Sequence, residues 1–359
     1  MLTRSTSSDT PDRGPESCTD ESAMTQLEKL SKNGIQRRGS KKRGFRYVRA
    51  DGSPVTAADR ARIEALKVPP AWRDVSIHPS PQGTLQAVGR DAAGRWQYRY
   101  HEAQVVRRDR KKYARLLAFA QALPQMRRAL ARDLTRPGLP SEKVLGCALR
   151  LLSCCFLRPG SARYAEENES FGVATLRRRH VSVEGTVVRL DFPGKSGKRQ
   201  RRELDDKRVA QIVRRLAREP GEVFKYRGDN GEWVDVRRRH INDYIKEIMG
   251  ERFSAKDFRT WAGTLLCACA LARAGAEPTE SRTARRRKVV AAVAETAERL
   301  GNTPAVCRSA YIFPSVLSGF ERGRVIERSF RTVEEFVRRH HGLHPSEDAL
   351  LRFLKQKAS

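Results

Sequence analysis

The feature that most limits the fold of this chain is a change in periodicity close to residue 107. Before it, short stretches of alternating apolar and polar residues between Pro, Gly and Asp predict strands, with one short helix over Ala57–Leu66. After it, apolar residues recur every three to four positions through most of the chain, which predicts helices. We therefore expect an α+β protein, in which a small mixed β-sheet domain precedes a mostly α-helical domain.

The pattern predicts three strands in the first domain and eight helices with one small sheet in the second. In the first domain the strands are Phe45–Val48, Leu85–Gly89 and Trp96–Tyr100. In the second domain the helices are Tyr113–Leu134 (with Pro124 as a kink or a break), Ser141–Leu157, Asp205–Leu216, Val236–Met249, Ala255–Gly275, Thr283–Leu300, Thr332–His340 and Ser346–Lys357. Only Arg178–Leu204 has the pattern of a sheet, with three short antiparallel strands separated by turns at Glu184–Gly185 and Gly194–Lys198.

A chain of 359 residues can bury two modest cores, so two domains are expected. Residues 1–40 lack periodicity and aromatic side chains, and we predict a disordered tail there. Residues 41–106 then form the N-terminal domain and residues 107–359 the helical one, with a hinge at the charged run Arg107–Lys112. The basic segment Arg37–Arg43 fits a DNA contact, a targeting signal or simple solvation, and the sequence does not decide among them.

The charge balance narrows the class of partner. Lys and Arg number 72 against 42 Asp and Glu, for a net charge of +30, which predicts a polyanionic partner. The longest apolar run, Leu145–Leu157, is interrupted by Arg150 and is too short to span a bilayer. The N-terminus has no apolar signal core. We therefore expect no membrane association.

The cysteines point to a reducing compartment. Their number, seven, is odd, and no Cys-x-x-Cys pair occurs, so we predict reduced thiols, a cytoplasmic location and no zinc site. We also find no Asp, Glu and His cluster of the kind that holds a metal, and we expect no cofactor. The Gly194–Lys198 turn is not a phosphate-binding P-loop, because Arg189 stands where that motif needs a glycine.

The strand Trp96–Tyr100 is a candidate DNA-reading element. Alternation places Trp96, Tyr98 and Tyr100 on one face, and Gln97 with Arg99 on the other. A two-stranded ribbon fits the major groove of DNA, where Gln can bridge N6 and N7 of adenine. An ordinary hairpin with a half-buried aromatic face fits the pattern equally well.

Four further segments carry candidate chemistry. They are Arg158–Leu176, which begins Arg-Pro-Gly-Ser-Ala-Arg-Tyr; the Gly-Lys-Ser-Gly-Lys turn around Lys195; Ala255–Thr264, which contains Lys256 and Arg259; and Leu300–Phe313, which contains Asn302 and Tyr311. In the last, Thr303 can cap a short helix, Pro304 suits its first turn, and Tyr311 lies close to its far end.

These segments, in this order, resemble the type IB DNA topoisomerases, in the compact branch shared by poxviruses and many bacteria. The run Gly89–His101 is similar to their small N-terminal domain. The resemblance implies the catalytic fold shared with tyrosine recombinases, arranged with the N-terminal domain as a C-shaped clamp around duplex DNA. It also implies a monomer that relaxes positive and negative supercoils through a 3′-phosphotyrosyl intermediate, without ATP or metal. If the source is bacterial, the protein would be associated with the nucleoid.

The resemblance also implies residue roles. Tyr311 is the nucleophile, Arg158 and Arg259 are the catalytic arginines, and Asn302 faces the same phosphate. Lys195 is the expected general acid, with Lys256 as an accessory residue. The expected DNA contacts are Gln97, Tyr98, Tyr100, Arg163, Tyr164 and Lys198.

The chemistry explains these residue types. Attack on a phosphodiester builds charge on two non-bridging oxygens, and guanidinium groups match that pair and stay protonated. An Asn amide donates one further N–H, and nearby cations acidify a tyrosine whose reference pKa is about 10.

Two other classes of protein fit the same residues. A tyrosine recombinase uses the same Arg, Lys, Arg and Tyr set, but it has His at the position of Lys256 and acts as a multimer. A non-catalytic architectural DNA-binding protein would retain DNA whether or not Tyr311 is present.

Overall fold

The structure is a computed structural model that describes residues 18–330, 332, 335–336 and 342–356. The protein is α+β, as the sequence predicts. It consists of two compact units, one up to Lys112 and one from Tyr113 onward.

The N-terminal unit is built on one antiparallel sheet. Its elements are α1 (Cys18–Asn33), β1 (Ile35–Ser40), β2 (Gly44–Val48), α2 (Ala57–Ala65), β3 (Arg73–Ile77), β4 (Leu85–Arg90) and β5 (Trp96–Tyr100). The sheet has five strands in the order β2-β1-β3-β4-β5. Neighbouring residues of β4 point to opposite faces: Ala87 packs with Ile63 of α2, and Val88 packs with Leu30 of α1. Each face of the sheet is therefore covered by one helix.

The prediction of a disordered tail over residues 1–40 is wrong for α1 and β1, while the first 17 residues lie outside the described part. Strand β1 pairs with β2 on one side and with β3 on the other. Its sequence, Ile-Gln-Arg-Arg-Gly-Ser, carries a single apolar residue. The pattern alone therefore gave no strand signal, and pairing with two neighbours supplies the stabilisation instead.

Strand β5 has the bounds and the faces that the sequence predicts. Trp96, Tyr98 and Tyr100 all pack against the cluster around Leu30, so their shared face is half-buried. The predicted pairing of Leu85–Gly89 with Trp96–Tyr100 is confirmed as the antiparallel pair β4–β5, and β5 is the edge of a larger sheet that also contains β3. The sequence missed β3, whose register shifts at a bulge and whose Asp74 has a positive φ of 48°.

The second unit is mostly helical. Its helices are α3 (Glu102–Asp133), which begins before the unit boundary, α4 (Ser141–Cys154), α5 (Ala162–Asn168), α6 (Lys207–Leu216), α7 (Arg238–Met249), α8 (Ala255–Ala274), α9 (Arg282–Leu300), α10 (Pro304–Val306), α11 (Pro314–Glu321) and α12 (Pro345–Lys355). Strands β6 (Val181–Glu184), β7 (Val187–Pro193) and β8 (Arg199–Asp205) form the predicted three-stranded antiparallel sheet.

Three features of this unit differ from the predicted elements or lie outside the structure. The residues of the predicted hinge, Arg107–Lys112, lie inside α3, which also continues through Pro124, and the division between the two compact units falls directly after Lys112. A second small hairpin, β9 (Lys225–Arg227) and β10 (Trp233–Asp235), was missed since its strands are too short to show alternation. The predicted helix Thr332–His340 falls mainly outside the described residues.

The described part of the chain has two relevant absences. None of its helices is both long enough and apolar enough to cross a membrane. Its His, Cys, Asp and Glu side chains form no group of three or more that is placed to hold a metal ion.

Helix α8 is the centre of the second unit. It is buried from Phe258 to Leu271 on all sides, as expected of a helix that is apolar around its whole circumference. Helices α4, α7, α9 and α12 pack around it. Any side chain on α8 is therefore held rigidly, and this helix carries Arg259.

Helix α12 is fixed to α8 by one buried carboxylate. Glu347 is 1% exposed and accepts two hydrogen bonds from Arg127 of α3, at 2.8 and 2.9 Å. It also accepts from Nε1 of Trp261 on α8, at 3.2 Å, and from the backbone N–H of His344, at 2.8 Å. Three separate segments thus meet at Glu347.

Replacing Glu347 is expected to destabilise the protein strongly. Glu347→Ala leaves Arg127 buried without its carboxylate, and breaking a buried pair in this way costs about 3–5 kcal/mol. Asp348→Ala is the matched control: Asp348 adjoins Glu347 but pairs with Arg352 in an exposed position, so its loss should cost about 0–1 kcal/mol. Urea unfolding of both variants measures the difference, and equal losses would contradict the assignment.

Candidate active site

The structure brings together four side chains that are far apart in the sequence. Nη2 of Arg158 donates to Oδ1 of Asn302 at 2.6 Å. The guanidinium carbon of Arg259 lies 5.1 Å from the ring centroid of Tyr311. These residues come from the loop after α4, from α8, from the end of α9 and from the turn after α10. The arrangement places two guanidinium groups and one amide beside a phenol.

Arg259 joins the segments that carry two of the other residues. Its Nη1 donates to the carbonyl of Phe156, and its Nη2 donates to the carbonyl of Leu300 at 2.8 Å. Phe156 lies two positions before Arg158, and Leu300 lies two positions before Asn302. Arg259 therefore holds both neighbouring loops as well as contributing its charge.

The loop that carries Arg158 has an unusual backbone. Phe156 adopts a positive φ of 56°, which is uncommon for a bulky side chain and marks a constrained turn. This turn presents the Phe156 carbonyl to Arg259. The carbonyl of Arg158 in turn accepts from the N–H of Val173 at 3.0 Å. The turn at Phe156 and the bond from Val173 therefore fix the backbone position from which the Arg158 side chain extends.

Asn302 is buried and oriented at the end of α9. The helix closes on Gly301, whose φ of 63° lets the chain turn sharply into Asn302. The Asn302 side chain is 8% exposed; its Oδ1 is occupied by Arg158, but its Nδ2 has no partner in the described part. Nε of Arg259 is likewise buried without a partner there. The buried Nδ2 of Asn302 is therefore left for an external acceptor.

Tyr311 ends a turn of π-helix, Cys307–Tyr311, and packs directly on α8. Gly263 makes this approach possible, because a Cβ at that position would lie 2.8 Å from Cβ of Tyr311. Thr264 holds the same segment: its Oγ1 donates to the Tyr311 carbonyl at 3.1 Å and accepts from the N–H of Phe313 at 3.2 Å. The phenol is therefore anchored on the helix that carries Arg259.

The electrostatics of the site favour an ionised phenol. Burial raises the pKa of Tyr311, but the adjacent Arg259, with further help from Arg158 and Lys256, lowers it by more, so the net pKa lies below its usual value. Burial, followed by repulsion from Arg158, lowers the pKa of Arg259 to about 10. Arg259 thus remains a cation at neutral pH.

The three predicted lysines occupy different places. Lys198 reaches the site, since its Nζ donates to the carbonyl of Asn302 at 2.8 Å. Lys256 is exposed at the start of α8, and its charge acts on Tyr311. Lys195 is exposed in the turn between β7 and β8, where Ser196 has a φ of 62°, and it makes no hydrogen bond within the described part.

The predicted DNA contacts lie on several surfaces. In the N-terminal unit, Nε2 of Gln97 donates to Asp91 at 2.9 Å, and the rings of Tyr98 and Tyr100 stack with centroids 6.2 Å apart. In the second unit, Arg163 pairs with Glu167 on α5, while Tyr164 is 58% exposed. Tyr164 is therefore available to a partner as a large aromatic surface.

Sequence reasoning missed the residues that support the site from β8. Gln200 is 6% exposed and packs against Gly301. Arg202 donates to Gln200 at 3.0 Å, to the carbonyl of Arg299 at 2.7 Å and to the carbonyl of Cys155 at 3.3 Å. It therefore links β8 to both loops that Arg259 joins. In a chain with 72 Lys and Arg residues, nothing in the sequence marks this arginine.

Comparisons with known proteins agree with this geometry. Residues 101–323 match the family described as eukaryotic DNA topoisomerase I, catalytic core, and residues 44–91 match the bacterial DNA topoisomerase IB N-terminal domain. DNA topoisomerase 1B of Acanthamoeba polyphaga mimivirus is 31% identical over 342 residues, which cover 92% of this chain and 97% of the viral protein.

Two further relatives are also DNA topoisomerases by name. DNA topoisomerase 1B of Vaccinia virus (strain Copenhagen) is 22% identical over 265 residues, covering 71% of this chain and 80% of the viral protein. DNA topoisomerase 1 of Schizosaccharomyces pombe is 30% identical over 156 residues, covering 43% of this chain and 18% of the yeast protein. The matched families cover both units of the structure and all four residues of the site, so the chain belongs to the type IB DNA topoisomerases.

Proposed function

We propose that this protein relaxes positive and negative supercoils by cutting one strand of duplex DNA with Tyr311, letting the DNA rotate and resealing the strand. One observation carries the assignment to these residues: the buried Nδ2 of Asn302, which bonds Arg158 through its Oδ1, and the buried Nε of Arg259, which lies beside Tyr311, have no partner in the described part of the chain. Unpaired buried donors are costly, and a phosphodiester oxygen is an acceptor that would satisfy them.

The steps follow from the residues. The ionised Tyr311 oxygen, which has given its proton to solvent, attacks the phosphorus, and the bond to the 5′ oxygen breaks. The phosphate thereby becomes a 3′-phosphotyrosyl ester and the other strand end a 5′ hydroxyl. Arg158 and Arg259 neutralise the charge on the non-bridging oxygens, and Asn302 donates one N–H to the same group. The departing 5′ oxygen takes up one proton. Religation reverses each step, and the ester bond conserves the energy, so ATP is not consumed.

The experiment that tests this function is relaxation of plasmid DNA in EDTA without ATP. We expect relaxed circles from both negatively and positively supercoiled plasmid, and a protein–DNA adduct that survives denaturation in SDS. Recombined products in place of relaxed circles would favour a tyrosine recombinase. Bound but unrelaxed DNA would favour an architectural DNA-binding protein.

The two lysines of the β7–β8 turn differ in their suitability as the proton donor. Lys198 already donates to the Asn302 carbonyl, whereas Lys195 lies exposed on a turn with glycines on both sides. We propose that Lys195 moves onto the 5′ oxygen when DNA binds, and that Lys198 supports Asn302. An alkoxide leaving group needs this proton, but a thiolate, with a thiol pKa of about 8.5, does not.

Sulfur substitution at the bridging 5′ position is expected to separate these lysines. Lys195→Ala should lose about 100-fold or more in single-turnover cleavage of the oxygen substrate, and sulfur should restore most of that rate. Arg158→Ala is the control and should not be rescued, because its defect lies on the non-bridging oxygens. If sulfur rescued Lys198→Ala or Lys256→Ala but not Lys195→Ala, the lysine of the rescued variant would be the general acid.

We also propose that the N-terminal unit reads DNA through β5, using the face that carries Gln97 and Arg99. This face is opposite the half-buried aromatic face, and Arg99 is exposed. Gln97 would exchange its bond to Asp91 for a base edge.

The proposal also covers the oligomeric state and the cellular compartment. We propose that the active form is a monomer, because all four site residues come from one chain, and that the protein works in the reducing cytoplasm. Six cysteines of the described part, Cys147, Cys154, Cys155, Cys267, Cys269 and Cys307, are free and buried, which fits a reducing compartment. Light scattering of the protein with and without DNA measures the oligomeric state.

A further inference from the structure

We propose that the hairpin formed by β1 and β2 is a second DNA-binding element, which holds the phosphate backbone without reading sequence. We call its outward cations, Arg38, Lys41, Lys42, Arg43 and Arg46, the cationic hairpin. This inference deepens the proposed function, since it rests on duplex DNA as the substrate. It assigns a binding role to a segment that lies outside the two matched families except for its last strand.

The two faces of the hairpin are used differently. Arg37 faces the unit: its guanidinium lies 4.3 Å from the ring centroid of Phe45 and donates to the carbonyls of Pro69 and Trp72, at 3.1 and 2.6 Å. The next residue, Arg38, points the other way and is exposed. Arg37 is therefore the arginine of β1 that packs against the N-terminal unit, and Arg38 takes no part in that packing.

The outward face places like charges directly opposite each other. Arg38 is the cross-strand partner of Arg46 in the β1–β2 register. Side chains that face each other in this way lie about 5 Å apart at Cβ, and like charges there oppose folding. Lys41, Lys42 and Arg43 continue the same charge around the turn, where all three are exposed. An anion between the two strands would relieve this repulsion.

The cationic hairpin also lacks the carboxylates that accompany the exposed arginines of the β7–β8 hairpin. None of its five cations forms an ion pair with a side chain that the structure describes. The β7–β8 hairpin gives the contrast: Arg189 pairs with Glu184 and Glu203, and Arg199 and Arg201 both pair with Asp191. In the β7–β8 hairpin these arginines have carboxylate partners, whereas the cations of the β1–β2 hairpin are left open to an external polyanion.

The chemistry and the position both favour the phosphate backbone over the bases. The hairpin presents guanidinium and ammonium groups but no outward aromatic ring or amide at its tip, so it has donors for phosphate and nothing to stack on a base. It forms the edge of the sheet opposite β5, about 19 Å away at the usual strand spacing. It therefore adds a contact separate from the base-reading face.

A targeting signal is the weaker interpretation of these cations. Residues 36–40 are paired along their length with residues 44–48, and the first residues of β1 also pair with β3. A receptor that reads an extended chain would have to break this pairing. A backbone phosphate needs only the side chains, which are already exposed.

Salt-dependent binding tests the inference. Arg38→Gln/Arg46→Gln is compared with Arg60→Gln/Arg189→Gln, which removes the same charge from residues that have carboxylate partners. Both pairs are built into full-length Tyr311→Phe so that no adduct forms, and the dissociation constants for two duplexes of unrelated sequence are measured over a range of KCl concentrations. We expect the slope of log K against log salt to fall by about 1–2 for the hairpin variant, equally on both duplexes, and to be unchanged in the control.

The thermal midpoint without DNA provides a second readout. Because Arg38 and Arg46 repel each other, their replacement should leave the midpoint equal or higher while DNA binding weakens. An unchanged salt slope, or a loss confined to one sequence, would overturn the inference. With Tyr311 intact, relaxation of plasmid by the same variants separates the two proposals: relaxation with an unchanged slope refutes only the hairpin, whereas no relaxation by any form refutes the function.

Discussion

Tyr311→Phe is expected to abolish both plasmid relaxation and the SDS-stable DNA adduct, while leaving noncovalent DNA binding intact. The substitution removes only the phenolic oxygen, which is the atom that would bond to phosphorus. The ring remains beside Arg259, and the Thr264 bonds to the Tyr311 carbonyl and the Phe313 N–H do not involve the side chain. Removal of a covalent nucleophile typically costs roughly 10⁴-fold or more, so activity should fall to background.

The control for this experiment is Tyr226→Phe. Tyr226 is a half-buried tyrosine of β9 that packs near His240, away from the four residues of the site. This variant should relax plasmid at the parent rate. An adduct formed by Tyr311→Phe, mapped by proteolysis to another residue, would show that the nucleophile is wrongly assigned.

Arg259→Ala is expected to slow cleavage by about 100-fold or more, as loss of one preorganised donor usually does. The effect should exceed that of a lost charge alone, because Arg259 also bonds the carbonyls of Phe156 and Leu300. Arg259→Lys keeps the charge but cannot hold both carbonyls and a phosphate, so its rate should lie between those of Ala and the parent. Single-turnover cleavage of an oligonucleotide duplex measures all three.

The same variant should change the pH dependence of cleavage. Arg259 is the largest of the influences that lower the pKa of Tyr311, against burial, which raises it. Without Arg259 the pKa of the phenol rises, so the increase in rate that follows ionisation of Tyr311 should move to higher pH. A profile that stays in place would mean that Arg259 acts on the phosphate without acidifying the phenol. Arg189→Gln, on the paired β7–β8 hairpin, is the control for a general loss of charge.

The support around the site explains why these effects should be large. Arg259 lies on a helix that is buried along most of its length and is fixed to α12 through Trp261 and Glu347. Arg259 as a whole residue is 3% exposed, so water cannot readily take the place of its guanidinium group. Donors held in this way do not have to reorganise as charge develops on the phosphate.

The sequence by itself determined the fold class, the long helices and the order of the chemical segments. Periodicity predicted the bounds of α8 and α9 to within one residue at each end, because buried apolar residues repeat along a helix at fixed spacing. It also gave the bounds of β5 and the face shared by Trp96, Tyr98 and Tyr100. The candidate residues Arg158, Arg259, Asn302 and Tyr311 were chosen from sequence motifs, and the family follows from the comparisons.

Only the tertiary structure decided how those residues meet and what supports them. The bond from Arg158 to Asn302 joins residues 144 positions apart, and the bond from Arg202 to the Arg299 carbonyl joins residues 97 positions apart. Periodicity reports which side of a helix or strand is buried, but it carries no information about which distant carbonyl an arginine reaches. For the same reason β1 could not be predicted. Its one apolar residue makes no alternating pattern, and its pairing with β2 and β3 exists only once the sheet has formed.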